Sequence, residues 1–571
     1  MILTASLLLL LFVFFISIGL WFYRIFQCTD WLKADGALNA FWAGWALVVA
    51  GLQLWHLAFP VNEYAQAVFG LAAVFSATLA WPALRQLARD HTNRAQVVIP
   101  AAGATLLLAL ILSNHVMFIP AHYDHGLYHL QGVKWISNFA IVPGLGNLHH
   151  RFAFNNANLL LAALLNRGML YGYSYYLSNT LLALALITRC CVSVLHVIRN
   201  QTHTKTDLYY AFLLAPALWQ VSTTHLAGYS PDFPVFALGA VGAGELLRLL
   251  EMDAGDQRGT QFQACFLALL MAAGITVKMS FAAYGGLALL ATAVFLWFKN
   301  RAALPKAVGW GALLVAPWLA RNVILSGYLL FPSTFLSLPV KWKMPSYLAD
   351  PVSSIISNWA YTRSDSIPYT ADWEWFTRWL KPFVFEVKQT FVIALVLIAL
   401  SLILFALKRQ WKALDWRIGL LFLISSLSLV FWFASAPDYR FSGAAFWVFF
   451  SAALLLFYDA LTLSGAVHNR QGLVVIMLLA AFFVLSPNQF SKNISRKLLL
   501  MPVPEPQLAE EERSLAEIQT KTTASGLTVN MPPGDGADCW DYPLPCVPFG
   551  DYLPTLRLIE PGNLAKGFYI P

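Results

Sequence analysis

Charge is what this chain has least of. Only 12% of its 571 residues are Asp, Glu, Lys or Arg, while 58% are hydrophobic. A soluble domain carries about a quarter of its residues charged, so the composition excludes that class and leaves a polytopic membrane protein. No Gly-rich phosphate loop and no dinucleotide fingerprint is present, so no nucleotide cofactor is expected. The net charge of +8 is spread over short loops instead of forming one patch, and nucleic acid is not an expected partner. Cysteine is also scarce, at six residues. Cys28, Cys190, Cys191 and Cys265 lie in or beside apolar runs, where they read as inert packing.

What is abundant is hydrocarbon in long runs. A spanning helix takes roughly 20 apolar residues. Such runs cover 2–23, 38–59, 64–84, 96–117, 171–188, 208–224, 233–250, 262–298, 307–326, 389–407, 418–434, 442–462 and 473–487. The run 262–298 is too long for one helix and contains Lys278, so it is split, giving about 14 spans. No positive charge precedes the first run and no small-residue cleavage site follows it, so it reads as a retained helix. The fold class is all-α and polytopic. It comprises N-terminal helices (1–95), a transmembrane module (96–489) with outer loops at 118–168 and 328–386, and a small C-terminal extracytoplasmic segment (490–571).

Loops carrying Arg85, Arg89 and Arg94, Arg199 and Lys205, Lys299, Arg301 and Lys306, and Lys408, Arg409, Lys412 and Arg417 are expected in the cytoplasm by the positive-inside rule. The segments 118–168, 225–232, 328–386 and 435–441 then fall outside. The tail holds CWDYPLPC, with six residues between Cys539 and Cys546; in a small extramembrane segment this reads as a disulfide in an oxidising compartment. Lys492, Arg496 and Lys497 just after the last run argue the opposite orientation.

The polar stretch YDHGLYHLQGVKWI, residues 123–136, lies in the first outer loop. If Asp124 opens a helix, Leu127, Leu130, Val133 and Ile136 recur on one apolar face, and Asp124, Tyr128, Gln131, Trp135 and Asn138 form a second row. Such a helix would lie along the bilayer with its polar row toward water or protein. Six of the twelve histidines cluster here: His115, His122, His125, His129, His149 and His150. They read either as interfacial polar groups or, for His125 and His129 four apart, as weak candidates for a divalent-metal site.

The stretch YDHGLYHLQGVKWISNFAIVPGLGNLH resembles the first outer loop of GT-C superfamily glycosyltransferases, integral membrane enzymes that use polyprenyl-phosphate-linked sugars. Over roughly residues 96–460 four further pieces follow in the family's order: HLAGYSPDFPVFAL with Asp232, ITVKMSFAAYGGLALL with Lys278, PWLARNVILSGYLLFP with Arg321, and APDYRFSGAAFW with Arg440. The chain departs from the pattern in placing about three spans before the loop and His125, not a second acid, after the first.

The resemblance implies a transferase acting on the outer face of a bacterial inner membrane, with a lipid-linked sugar as donor and a glycan or lipid as acceptor. Asp124 would be the base, because a partly desolvated carboxylate gains basicity. Tyr128, His129, Asp232, Lys278, Arg321 and Arg440 would bind substrate, with Arg440 and Lys278 on the departing phosphate. Residue by residue the plain alternatives are a helix cap for Asp124 and Asp232, snorkelling for Lys278, an ion pair with Asp438 for Arg440, and an interfacial anchor for Arg321. The aromatic loop with Trp342, Trp359, Trp373, Trp375, Trp379, Tyr347, Tyr361 and Tyr369 fits either an interfacial belt or a sugar-stacking lid. Competing functions are a transporter or flippase for a lipid-linked glycan and a polysaccharide polymerase or ligase.

Overall fold

The computed structural model describes residues 1–28, 34–89, 99–117, 123–199, 203–223, 226–253, 255–362, 373–386, 388–463, 469–485, 519–523, 525–532, 538–548 and 553–571. Arg94, His122, Tyr369, Lys492, Arg496 and Lys497 lie outside them.

Each apolar run becomes a helix, because within hydrocarbon every backbone N–H and C=O must be satisfied inside the segment. Among the described residues eleven helices are long and apolar enough to cross a membrane. The apolar helices Ile99–His115 and Arg470–Phe483 are shorter, and Lys205–Thr223 is a further helix of 19 residues. The chain is thus an all-α polytopic membrane protein. The run around Lys278 divides as its charge demands: one helix ends at Val277, Lys278 is extended, and a new helix runs from Ala282 to Lys299.

Small residues set the closest contact in the bundle. Helix Ile2–Ile25 lies against Ala34–His56, and a Cβ on Gly19 or Gly44 would collide with the facing backbone. Helices in lipid associate largely through this kind of close packing. Asp232–Glu251 and Gln257–Val277 are the most enclosed spans, whereas Glu63–Pro82 and Thr390–Leu407 lie at the rim.

A second apolar core caps one end of the bundle. Trp135, Leu145, Leu148 and Phe152 from the first loop pack with Leu325 at a helix end and with Val529, Val547, Leu558 and Phe568 from the tail. The tail contributes two short antiparallel pairs, Gln519–Thr522 with Thr528–Met531 and Arg557–Leu558 with Phe568–Tyr569. Cys539 and Cys546 are joined in a disulfide. The Phe568 N–H donates to the Pro143 carbonyl (2.9 Å), and Asn147 Nδ2 donates to the Trp342 carbonyl (2.8 Å). First loop, aromatic loop and tail therefore share one side of the molecule.

Candidate active site

The stretch that opens at Tyr123 is helical, with a π-turn over His125–His129 leading into Leu130–Asn138. Leu127, Leu130, Val133 and Ile136 are buried as one face, but so are Gln131 and Trp135. The helix is thus enclosed by protein on both faces instead of lying on lipid: Gln131 Nε2 donates to the carbonyls of Trp540 and Tyr542, at 2.9 Å each. Asp124 makes no side-chain cap. It accepts instead from Arg151 Nη1 at 2.5 Å, and Arg151 lies over the Tyr128 ring, 5.5 Å from its centre.

Asp232 and Lys278 come together from two helix boundaries, Lys278 Nζ donating to Asp232 Oδ1 at 2.5 Å. Asp232 does not cap its helix either, and Lys278 is engaged with protein, not snorkelling. Its ammonium lies 4.2 Å from the centre of the Phe441 ring. Arg440 does pair with Asp438, Nε to Oδ2 at 3.5 Å, while its guanidinium sits 5.2 Å from the Trp359 ring and 5.7 Å from that of Phe441. Three cation–carboxylate pairs thus gather around Tyr128 and Phe441.

The electrostatics bind these pairs into one site. Burial by itself would lower the pKa of Arg440, but the fields of Asp232, Asp438 and Asp124 raise it above its usual value. Burial pushes the Tyr128 hydroxyl up, and Asp124 adds to that effect, so it remains a neutral donor. Burial, helped by Arg151, lowers His150 to about 4; burial, His150 and Arg151 lower His149. Both rings are then neutral near pH 7 and add no cation to the site.

Arg321 is 2% exposed, which corrects its reading as an interfacial anchor. Its Nη1 donates to His56 Nδ1 at 2.6 Å and its Nε to Asn155 Oδ1 at 3.0 Å. It borders, with Tyr128 and Arg151, a cavity of about 40 Å³ behind the charged cluster. His129 is 1% exposed, with its ring 4.4 Å from that of Tyr128. His125 stacks on Tyr229 at 5.0 Å. The two histidine rings thus pack against different aromatic neighbours. Among the described residues no group of three or more His, Cys, Asp or Glu side chains gathers to hold a metal ion.

The aromatic loop divides in two. Trp359 belongs to the site; Trp379 is buried, donates to the Pro437 carbonyl and packs with Trp432 and Phe433, which is a supporting role. Two residues escaped the sequence reading. Arg151 sits in HHRF with no helical periodicity to mark it. Asp538 lies in the tail, and its Oδ2 would be 2.8 Å from a Cβ placed on Gly126.

The family described as a domain of unknown function (DUF8201) matches residues 1–447, a span that holds every member of this cluster except Asp538. No curated protein and no solved structure matches the chain.

Proposed function

The chain belongs to the DUF8201 family, and from the geometry of its site we propose that it is a GT-C-type membrane glycosyltransferase. It moves a sugar from a polyprenyl-phosphate donor to a glycan or lipid acceptor on the outer face of a bacterial inner membrane. The observation that carries this reading is the convergence of Arg151, Lys278 and Arg440, each already matched to a carboxylate, around Tyr128 and Phe441 at one end of the bundle. Cations held this way are preorganised for an entering phosphate, whose oxygens compete with the carboxylates for the same donors. Arginine offers a fork to two phosphate oxygens and lysine a point charge.

The exchange also arms the base. While Arg151 holds Asp124 the carboxylate is a weak proton acceptor, because a neighbouring cation favours its charged form. Once the donor phosphate takes Arg151, Asp124 is free to accept the proton of the acceptor hydroxyl as that oxygen attacks the sugar. The C–O bond to phosphate breaks with its electron pair leaving on the phosphate. Tyr128 donates from the same wall, and Trp359 offers an aromatic face to the sugar.

The test is transfer of radiolabelled sugar from a panel of polyprenyl-phosphate monosaccharides in proteoliposomes, alongside binding of polyprenyl phosphate followed by native mass spectrometry. Transfer that disappears in Asp124→Asn supports the reading. Transbilayer movement of a lipid-linked glycan without transfer would replace it with a transporter. Orientation is checked separately. A cysteine at exposed Tyr347 should react with an impermeant reagent from outside and one at exposed Trp411 should not; the reverse pattern removes the outer-face assignment.

A further inference from the structure

The disulfide-closed turn of the tail reaches into the same cluster. The Trp540 N–H donates to the Gly126 carbonyl at 2.8 Å, and the Trp540 ring lies 5.7 Å from His125. Lys134 Nζ donates to the carbonyls of Asp541 (3.1 Å) and Tyr542 (2.8 Å) and meets Asp541 Oδ1 at 3.0 Å. With the two bonds from Gln131, the turn is held along the whole length of the first-loop helix. It seats where residue 126 has no side chain: a Cβ there would stand 2.5 Å from the Trp540 ring and 2.8 Å from Asp538 Oδ2.

Asp538 is thereby fixed against Gly126, two residues along the helix from Asp124. Its Oδ1 is buried and has no hydrogen-bond partner among the described residues, an expensive condition for a carboxylate oxygen unless it serves a ligand or a proton. The groups whose charge reaches it are Asp124 and His125 from the first-loop helix and Arg151 from the turn after it.

We propose that Asp538 is a further catalytic residue, the second member of a carboxylate pair with Asp124, and that the two acids together take up the proton of the acceptor hydroxyl. The proposal rests on the glycosyltransferase reading. Before the donor binds, Arg151 neutralises one of the two charges. When the phosphate draws Arg151 away, two negative charges are left in a partly dry site, and one proton between them relieves the repulsion. That proton comes from the acceptor O–H as its oxygen bonds to the sugar carbon, and it leaves to solvent after the phosphate-bearing lipid departs. Burial, reinforced by Asp124, raises Asp538 from 3.8 to about 6, which brings its titration nearer to neutral pH.

Infrared titration of the full-length protein carrying ¹³C-labelled aspartate tests the pair without any need for turnover. A protonated carboxyl should titrate near 6, vanish in Asp538→Asn, and move to lower pH in Asp124→Asn, where a like charge is gone. A spectrum with no such carboxyl, or one unmoved by Asp124→Asn, overturns the pair. The second arm is transfer itself. Asp538→Asn should slow turnover on the order of 100-fold, as expected for a positioned acid–base group, while polyprenyl-phosphate binding stays unchanged. Unaltered turnover would also overturn the assignment. A wild-type protein that transfers no sugar yet shows the coupled titration would remove the glycosyltransferase reading and leave the carboxylate pair standing.

Discussion

Arg151 holds Asp124 through a contact of 2.5 Å between Nη1 and Oδ1, with both side chains about a quarter exposed. An ion pair in that setting contributes little to stability, about 1 kcal/mol or less, so its geometry is worth more to binding than to folding. Asp124→Asn should therefore leave detergent-solubilised yield nearly unchanged while transfer falls by at least about 100-fold. Arg151→Lys should act on the other substrate: it keeps the charge but loses the fork, so the donor KM rises and kcat is largely kept. Steady-state kinetics with varied donor separates the two. Equal loss of kcat in both variants would contradict the division of labour.

Lys278 and Asp232 form a more enclosed pair, with side chains 18% and 14% exposed. Removing one partner leaves the other's charge in a poorly hydrated place. Lys278→Met and Asp232→Asn should each lower the thermal unfolding midpoint, whereas the double variant should recover part of the loss. The coupling expected is roughly 1.5–3 kcal/mol, as for a hydrogen bond to a charged group. Additive effects would show that the two residues act independently.

The bundle was legible because a spanning helix has few solutions: 20 apolar residues can do little else in lipid. Lys278 and Arg440 were legible as well, since a charge at a span boundary stands out against hydrocarbon. Arg321 misled for the same reason. It lies near the end of an apolar run, yet the first loop and the tail build protein over that helix end, and local sequence carries no trace of a cover supplied from elsewhere. Asp538 was hidden more completely. The contact that docks its turn joins Gln131 to a residue 409 positions away, and the cue is an absence, the missing side chain of Gly126.

Gly126→Val should consequently release the turn. The added atoms cannot share space with the Trp540 ring, and such overpacking costs about 1–3 kcal/mol. Limited proteolysis should cut near Trp540 faster in this variant than in the wild type, with the transmembrane fragment intact. Equal protection would show that the tail docks without Gly126.

Asp538 also makes docking depend on pH. Its pKa is higher in the folded protein, about 6, than the 3.8 of a free side chain, so the folded state holds the proton more tightly. Stability is then greatest in acid, falls as pH rises between those two values, and levels off above them. Asp538→Asn carries no charge to lose. The two proteins should unfold at similar temperatures near about pH 4, and the variant should be the more stable at about pH 8. A wild-type advantage at the higher pH would reverse the sign and remove burial as the dominant cause.

Glu245 supplies the contrast further along the same helix, 13 residues and about 20 Å from Asp232. It is fully buried and accepts from Asn39 Nδ2 (3.0 Å), Tyr210 Oη (2.9 Å) and Gln263 Nε2 (2.7 Å), with Arg248 Nε at 3.5 Å. Glu245→Leu strands the Asn39 amide in an apolar interior, at a cost of about 1–3 kcal/mol, while Tyr210 and Gln263 keep only the Val241 and Glu245 carbonyls as acceptors, and folded yield should fall. Glu245→Gln keeps the shape. Its carbonyl oxygen can take the Oε2 position facing Asn39 and Gln263, and its amide can donate to the Tyr210 oxygen, which already has the Val241 carbonyl within reach as an acceptor (3.1 Å). This variant should fold, with a modest loss from the weakened Arg248 contact, and its transfer rate per folded molecule should match the wild type. A folded Glu245→Gln protein that had lost transfer would tie this end of the bundle to the reaction.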